Sequence, residues 1–236
     1  MPGARGRLGS HNVGSVAVES LHEIRNRLVD TQGSIGEHLR ARRWKWFADT
    51  FTDVESMSVI DLGGTAEAWR RSPVRPAALH VVNLEPEAAE VPAWIRVDQA
   101  DACNLPGHIV SGQYDLVFSN SVIEHVGGHS QRQRFAGTVH ALADRHWVQA
   151  PYRYFPIEPH WLFPGFQFLP LSARAKVSRH WPLSHTLTSS REESIRQAMS
   201  IELPSLTEMA FYFPHSAIEK ERMLGVVKSV IAIKVS

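Results

Sequence analysis

Short apolar runs recur along the central part of the chain, and each has the length of a buried strand. The predicted strands are residues 57–62, 79–84, 94–97, 114–119 and 146–149. Between the last two, the spacing of Phe135, Val139 and Leu142 is helical. Strands that alternate with helices are typical of a mostly parallel sheet with helices on both faces. The pattern therefore predicts an α/β fold.

The segment before the first strand has a different character. Residues 1–20 are rich in Gly, Ser and Arg, which indicates a flexible leader. Helical spacing then predicts one helix over 21–33 and a second that Ser34 would cap. We expect accessory helices over 21–56, ahead of a main domain over 57–236.

The strand–helix alternation stops at Pro151. Residues 151–182 are crowded with proline and aromatic side chains, too apolar for a linker. We expect a folded insertion, or lid, over 151–200 at the carboxyl edge of the sheet. The elements predicted beyond residue 190 are helices at 191–199 and 206–213 and closing strands at 217–220 and 226–233.

Composition narrows the class of protein. A chain of 236 residues suits one large domain. Its 25 Lys and Arg against 24 Asp and Glu give a net charge of +1, without the basic surplus of a typical nucleic-acid-binding protein. The local basic run Arg40–Trp46 is compatible with phosphate binding, but its composition favours a solvated helix face.

The cellular setting is inferred from cysteine and from hydropathy. Cys103 is the only cysteine, so an intrachain disulfide is impossible and a reducing cytoplasm is expected. Neither a secretory signal nor an apolar run of about 18 residues is evident, so no membrane span is expected. The sequence leaves the oligomeric state open.

The first two predicted strands end in residues suited to binding a nucleotide. The first runs into Asp61, Gly63 and Gly64, and glycines let a ligand approach the backbone closely, although such a turn is equally often structural. The second ends at Asn83 and Glu85, about 20 residues further on, where an acidic side chain accepts from ribose hydroxyls. Taken alone, Glu85 is equally compatible with a solvated loop.

The next two strand ends extend this pattern. Asp101 and Ala102 follow the third strand, where the carboxylate would accept from the exocyclic amine of adenine. Ser119 and Asn120 end the fourth strand. Suitable polar groups at four consecutive strand ends favour one nucleotide-like ligand over four unrelated loops.

These residues resemble the motifs of class I S-adenosylmethionine-dependent methyltransferases. The segments Asp61–Thr65, Ser119–Gly127 and Arg153–His160 more narrowly resemble a bacterial subfamily known only as methyltransferases. The resemblance implies a Rossmann-like seven-stranded sheet that closes on an antiparallel hairpin. It also implies S-adenosylmethionine as cofactor and S-adenosylhomocysteine as product.

The resemblance assigns roles and has one departure. It makes Asp61, Gly63 and Gly64 the first motif, Glu85 the ribose-binding acid and Asp101–Ala102 the adenine-side motif. Thr65 stands where the broad family has a second glycine. The G-x-G-x-x-G turn of nicotinamide-dependent oxidoreductases is absent, which counts against that class.

Two histidines are candidate catalytic residues. Methyl transfer from a sulfonium gains from alignment and exclusion of water, but an alcohol acceptor also needs a group that takes its proton. His125 follows the fourth strand, although a structural role is slightly favoured for it. His160 lies on the aromatic insertion, where Glu158 would orient it or bind substrate hydroxyls.

The histidine content also raises the question of a metal. The chain has 13 histidines, and Glu124, His125 and His129 are close in sequence. None of them has the tight spacing of a metal-ligand motif, so the sequence predicts no metal site.

The expected acceptor is a small molecule or a glycan or glycolipid, methylated on oxygen. Tyr152, Tyr154 and Trp161 are candidate substrate contacts, since aromatic rings stack on sugars, and they are equally suited to the core of a small cap. The alternatives are an RNA or protein methyltransferase that holds its target with Arg40–Lys45, and a non-catalytic S-adenosylmethionine-binding domain.

Overall fold

The computed structural model describes residues 34–87, 90–184 and 188–236. The predicted leader and the helix over 21–33 lie outside the described residues. The helices are α1 (Ile35–Thr50), α2 (Ala66–Arg70), α3 (Gly107–Val110), α4 (His129–Leu142), α5 (Leu171–His180), α6 (Arg191–Met199) and α7 (Leu206–Tyr212). The strands are β1 (Ser58–Leu62), β2 (Ala78–Asn83), β3 (Ile95–Gln99), β4 (Leu116–Asn120), β5 (Arg145–Pro151), β6 (Ile157–Glu158), β7 (Phe163–Pro164), β8 (Ala217–Met223) and β9 (Val226–Lys234).

Seven of these strands form one sheet in the order β3-β2-β1-β4-β5-β9-β8. β1 to β5 are mutually parallel, whereas β9 is antiparallel to both β5 and β8. This arrangement confirms the predicted Rossmann-like α/β fold with its closing antiparallel hairpin. The order reverses at β1 and β4, so the carboxyl ends of these two strands flank the crevice where open α/β sheets bind ligands.

The central strands are apolar on both sides because both faces of the sheet are covered. Successive residues of β1 point to opposite faces, so Ile60 joins one core and Val59 the other. Helix α4 covers the first core with Phe135 and Val139. Helix α1 covers the second with Phe47, which is fully buried. Both cores thus hold β1 in place beneath the predicted glycine turn.

Helix α1 begins where the sequence predicts. The Ser34 hydroxyl accepts a hydrogen bond of 3.0 Å from the backbone N–H of Glu37, which is the geometry of an N-cap. The indole of Trp44 then stacks on Phe118 of β4, with ring centroids 5.2 Å apart and planes inclined by 4°. The helix is thereby fixed against the sheet close to the end of β4.

The segment after β5 is folded around its own aromatic core. Trp161 is buried and stacks on Phe166, with ring centroids 3.8 Å apart. Its carbonyl accepts from the indole N–H of Trp181, and α5 packs against α6. None of the helices described is long and apolar enough to cross a membrane.

His146 makes the stability of this fold sensitive to acid. It is fully buried in β5, where burial, with the nearby His140 and Lys234, lowers its pKa to about 4. The unfolded chain takes up this proton near pH 6.5, so the free energy of unfolding falls as the pH drops from 6.5 towards 4. The shift corresponds to about 3 kcal/mol.

We therefore expect that in His146→Gln the fall in the free energy of unfolding between pH 6.5 and 4 is smaller by about 3 kcal/mol. Urea unfolding at several pH values between 4 and 7 measures it for both proteins. If the free energy of unfolding changed with pH in the same way in both proteins, the assignment to His146 would be wrong.

Candidate functional site

The turn after β1 requires glycine at two successive positions. Gly63 has φ of +84°, in the left-handed region, and a Cβ added there would lie 2.5 Å from a methyl carbon of Val122. A Cβ at Gly64 would overlap the carboxylate of Asp61. Side chains from β1 and from the loop after β4 already fill the space next to this turn. The turn therefore has no side chains of its own at these two positions.

Asp61 is buried beneath this turn. Its Oδ2 accepts a hydrogen bond of 2.6 Å from the indole N–H of Trp69, and its Oδ1 has no hydrogen-bond partner among the described residues. Burial raises the pKa of Asp61 to about 7, with the Trp69 hydrogen bond opposing the shift. This carboxylate has an unfilled acceptor position suited to a cationic group.

Thr65 has a structural role at the end of this turn. It is the N-cap of α2, where its hydroxyl accepts from the backbone N–H of Ala68 at 3.2 Å. Capping stabilises a short helix by about 1 kcal/mol. The departure from the broad family's glycine pattern thus coincides with a helix start.

The end of β2 is tied to the glycine turn. The Asn83 amide donates to the carbonyl of Gly64 at 2.8 Å and to that of Gly63 at 3.3 Å. Glu85 is exposed, and its backbone N–H donates to the Asn83 side chain. Asn83 therefore fixes the turn, while the Glu85 carboxylate lies at its solvent edge.

A cavity of about 270 Å³ lies between the ends of β1 to β4, and we call it the strand-end cavity. It brings together the first, second and third predicted motifs with one predicted catalytic histidine. Its lining residues are Gly63, Val82, Asn83, Leu84, Ala100, Asp101, Ala102, Ser121, Val122, His125 and Val126. Glu85 is not among them, and neither is Ser119, which is buried with its hydroxyl donating to the Leu62 carbonyl.

A second cavity of about 250 Å³ lies beneath α1, and we call it the helix-side cavity. Asp61 and Gly64 line it from the glycine turn, and Asn120 lines it from the end of β4. The two cavities therefore lie on either side of the turn, with Gly63 contributing to one and Gly64 to the other.

Arg43 also lines the helix-side cavity, and sequence reasoning missed it. Its guanidinium donates to Asn120 Oδ1 at 2.8 Å and pairs with the buried Glu221 carboxylate at 2.7 Å. One signal was available, since Arg43 precedes the core residue Phe47 by four positions and so shares its helix face. Of the same basic run, Lys45 is exposed and pairs with Asp49.

The predicted catalytic residues meet in one place. Glu158 Oε1 accepts from His160 Nδ1 at 2.7 Å, and the Nε2 atoms of His160 and His125 lie 3.2 Å apart. Glu124, which sequence reasoning did not assign to catalysis, is fully buried beside them. Burial raises the pKa of Glu124 to about 7, opposed by the nearby His160.

The predicted substrate aromatics differ in exposure. Tyr154 is exposed and stacks on Phe168, Tyr152 is half-buried, and Trp161 is only 1 % exposed. Trp161 therefore packs in the core of the insertion, although it also lines a polar cavity of about 430 Å³ with Arg153.

The search against protein-family models found no match, and the search of curated proteins found no significant relative. Many solved structures share the fold. A chain described as a candidate zinc-dependent alcohol dehydrogenase from Rhodobacter sphaeroides is 11% identical, with TM-score 0.54 over 92% of this chain and 96% of its own.

Two further structures align at similar strength. The N-terminal domain of EvdMO1, determined in the presence of S-adenosylhomocysteine (SAH) and D-fucose, is 12% identical, with TM-score 0.50 over 96% of this chain and 99% of its own. The N-methyltransferase NodS from Bradyrhizobium japonicum, in complex with SAH, is 9% identical, with TM-score 0.50 over 91% of this chain and 97% of its own. At these identities the likeness establishes the fold alone.

Proposed function

We propose that this protein is an S-adenosylmethionine-dependent methyltransferase that methylates an oxygen atom of a small molecule or saccharide. One observation carries the proposal. Three of the four predicted strand-end motifs line a single cavity, and the same cavity includes His125 from the predicted catalytic pair.

The two cavities fit the two ends of the cofactor. The adenosine part occupies the strand-end cavity, with Asp101 accepting from the adenine amine and Asn83 and Glu85 near the ribose hydroxyls. The methionyl part crosses the bare backbone of Gly63 and Gly64 into the helix-side cavity. There the buried Asp61 carboxylate receives the ammonium group of the methionyl part. Arg43 lines the same cavity and would receive the carboxylate of the cofactor.

The identity of the cofactor has support from structural relatives. EvdMO1 and NodS, which share the fold along more than nine-tenths of this chain, were determined with SAH. The turn after β1 also lacks the glycine spacing of a nicotinamide site. The position after Gly64 is occupied by Thr65, which caps a helix. These observations favour S-adenosylmethionine over a nicotinamide cofactor.

The acceptor is proposed from the groups beside the cofactor site. His125 lines the strand-end cavity and lies against His160, which Glu158 orients. Imidazoles so placed suit a hydroxyl acceptor, because its oxygen must lose a proton as it becomes methylated. The exposed ring of Tyr154 and the polar cavity with Arg153 provide surfaces for a saccharide ring.

Calorimetry followed by a transfer assay tests this function. We expect S-adenosylmethionine and SAH to bind the purified protein, and NAD not to bind. Incubation of cell extracts with methyl-labelled cofactor and the protein should then label a saccharide or small-molecule fraction. Absence of cofactor binding at millimolar ligand would refute the proposal, whereas label confined to RNA or protein would refute its acceptor class.

A further inference from the structure

Three potential metal ligands converge beside the strand-end cavity from distant parts of the chain. Glu124 and His125 lie in the loop after β4, and His160 lies in the insertion after β5. Their ligand atoms are all within 4.8 Å of one another. We propose that Glu124, His125 and His160 bind a divalent transition-metal cation, which revises the expectation from sequence that there is no metal site.

The two imidazoles already have the separation of ligands to one ion. Their Nε2 atoms are 3.2 Å apart, and the rings are inclined by 87°. Donor nitrogens about 2.0 to 2.1 Å from a tetrahedral zinc ion lie roughly 3.3 Å from each other. The observed separation therefore matches that of two nitrogen ligands on one ion.

The Glu124 carboxylate provides an independent indication. The side chain is fully buried, and neither of its oxygens has a hydrogen-bond partner among the described residues. A buried carboxylate without a partner is costly, and such groups are usually paired or bound to a metal. A cation between Glu124 and the two imidazoles would provide the missing partner.

Glu158 completes the arrangement from behind His160. Its Oε1 accepts from His160 Nδ1, and its Oε2 accepts from the backbone N–H groups of His160 and Trp161. With Nδ1 as the donor, Nε2 carries the lone pair, and this is the nitrogen that faces His125. Metal-binding histidines are commonly oriented by a carboxylate in this way.

The ligand set indicates the class of metal and its role. Two imidazoles and one carboxylate suit Zn²⁺, Fe²⁺ or Mn²⁺, whereas Mg²⁺ and Ca²⁺ prefer oxygen ligands. Three protein ligands leave positions for a substrate oxygen. The role, unlike the site itself, rests on the proposed function.

A hydroxyl bound to the cation becomes more acidic. As its oxygen forms the bond to the methyl carbon, the bond from that carbon to sulfur breaks. The sulfonium becomes a thioether and the metal keeps its charge. The hydroxyl proton passes to solvent, because both imidazoles then serve as metal ligands and no longer as the proton acceptor.

Titration of the untagged protein with ZnCl₂ and MnCl₂, without cofactor or acceptor, tests the site. We expect one ion to bind per chain, and Glu124→Gln or His125→Ala to remove most of the affinity. Glu158→Gln should weaken binding by about 10- to 100-fold through misorientation of His160. The matched control is His180→Ala, an exposed histidine of the same insertion, which should bind like the parent.

Circular dichroism checks that each variant is folded, and His125, being exposed, is the variant least able to disturb the core. Absence of stoichiometric Zn²⁺ and Mn²⁺ binding by the parent would overturn the proposal, since the imidazoles would then share only a hydrogen bond. Equal affinity in His125→Ala and the parent would also overturn it. Binding of metal without binding of S-adenosylmethionine would leave the metal site standing and refute the proposed function.

Discussion

Replacement of Gly63 by alanine is expected to lower the free energy of unfolding by about 3 to 5 kcal/mol and to weaken S-adenosylmethionine binding by roughly 100-fold or more. Two penalties act together at this position. The residue has φ of +84°, and the new methyl carbon would lie 2.5 Å from Val122. Either the turn keeps its shape and the fold is strained, or the turn moves and the cofactor loses its support.

Urea unfolding and calorimetry on the same preparation separate these effects. The double variant Gly63→Ala/Val122→Ala removes the two closest contacts but not the backbone strain, so it should recover part of the stability. Gly137→Ala is the matched control, because this glycine lies in α4 with open space around it and should become slightly more stable as alanine. A Gly63→Ala protein with the parent's stability and affinity would disprove the account of the turn.

The second large effect is expected for Arg43→Met, which should lower the free energy of unfolding by about 3 to 5 kcal/mol. The Arg43 and Glu221 side chains are only 11% and 3% exposed, so the variant removes the ion-pair partner of a buried carboxylate and leaves only Ser229 and the Lys228 charge to stabilise it. Asn120 also loses its hydrogen-bond donor. We expect weaker cofactor binding as well, since both Arg43 and Asn120 line the helix-side cavity.

A matched pair of variants tests this explanation. Arg42→Met removes an exposed charge from the same helix and should change stability by less than about 0.5 kcal/mol. Arg43→Met/Glu221→Met replaces the whole pair with apolar side chains and should recover much of the loss, because the unpaired charge is gone. If the double variant is no more stable than Arg43→Met, the buried Glu221 charge is not the source of the cost.

Several elements were predictable because their signals are local. The Ser34 cap, the glycine turn and the alternation of apolar runs with helical spacing each depend on neighbours within a few residues. The predicted strands match β1 to β5 to within two residues at each end, and α6 matches Arg191–Met199. The bounds shift most at β8, which extends to Met223, because pairing with β9 sustains a strand that propensity alone does not.

Other features depended on distant partners. The charge pattern of the run Arg40–Trp46 fits a solvated helix face, but Arg43 is largely shielded from solvent and pairs with Glu221, 178 residues away. Ser119 has the polar character of a strand-end ligand, but its hydroxyl bonds to Leu62 across the sheet. Glu124 follows Ile123 in an apolar stretch, and only the approach of the insertion places it beside His160.

The sequence by itself determined the fold class and the strand ends that line the cavity, because alternation, capping and glycine turns act over a few residues. Only the tertiary structure decided which polar groups are already engaged and which face a cavity. It joined His160 to His125 across 35 positions and left the Glu124 carboxylate without a hydrogen-bond partner among the described residues. Contacts of this kind depend on how the insertion packs against the sheet, and they cannot be predicted from the spacing of residues along the chain.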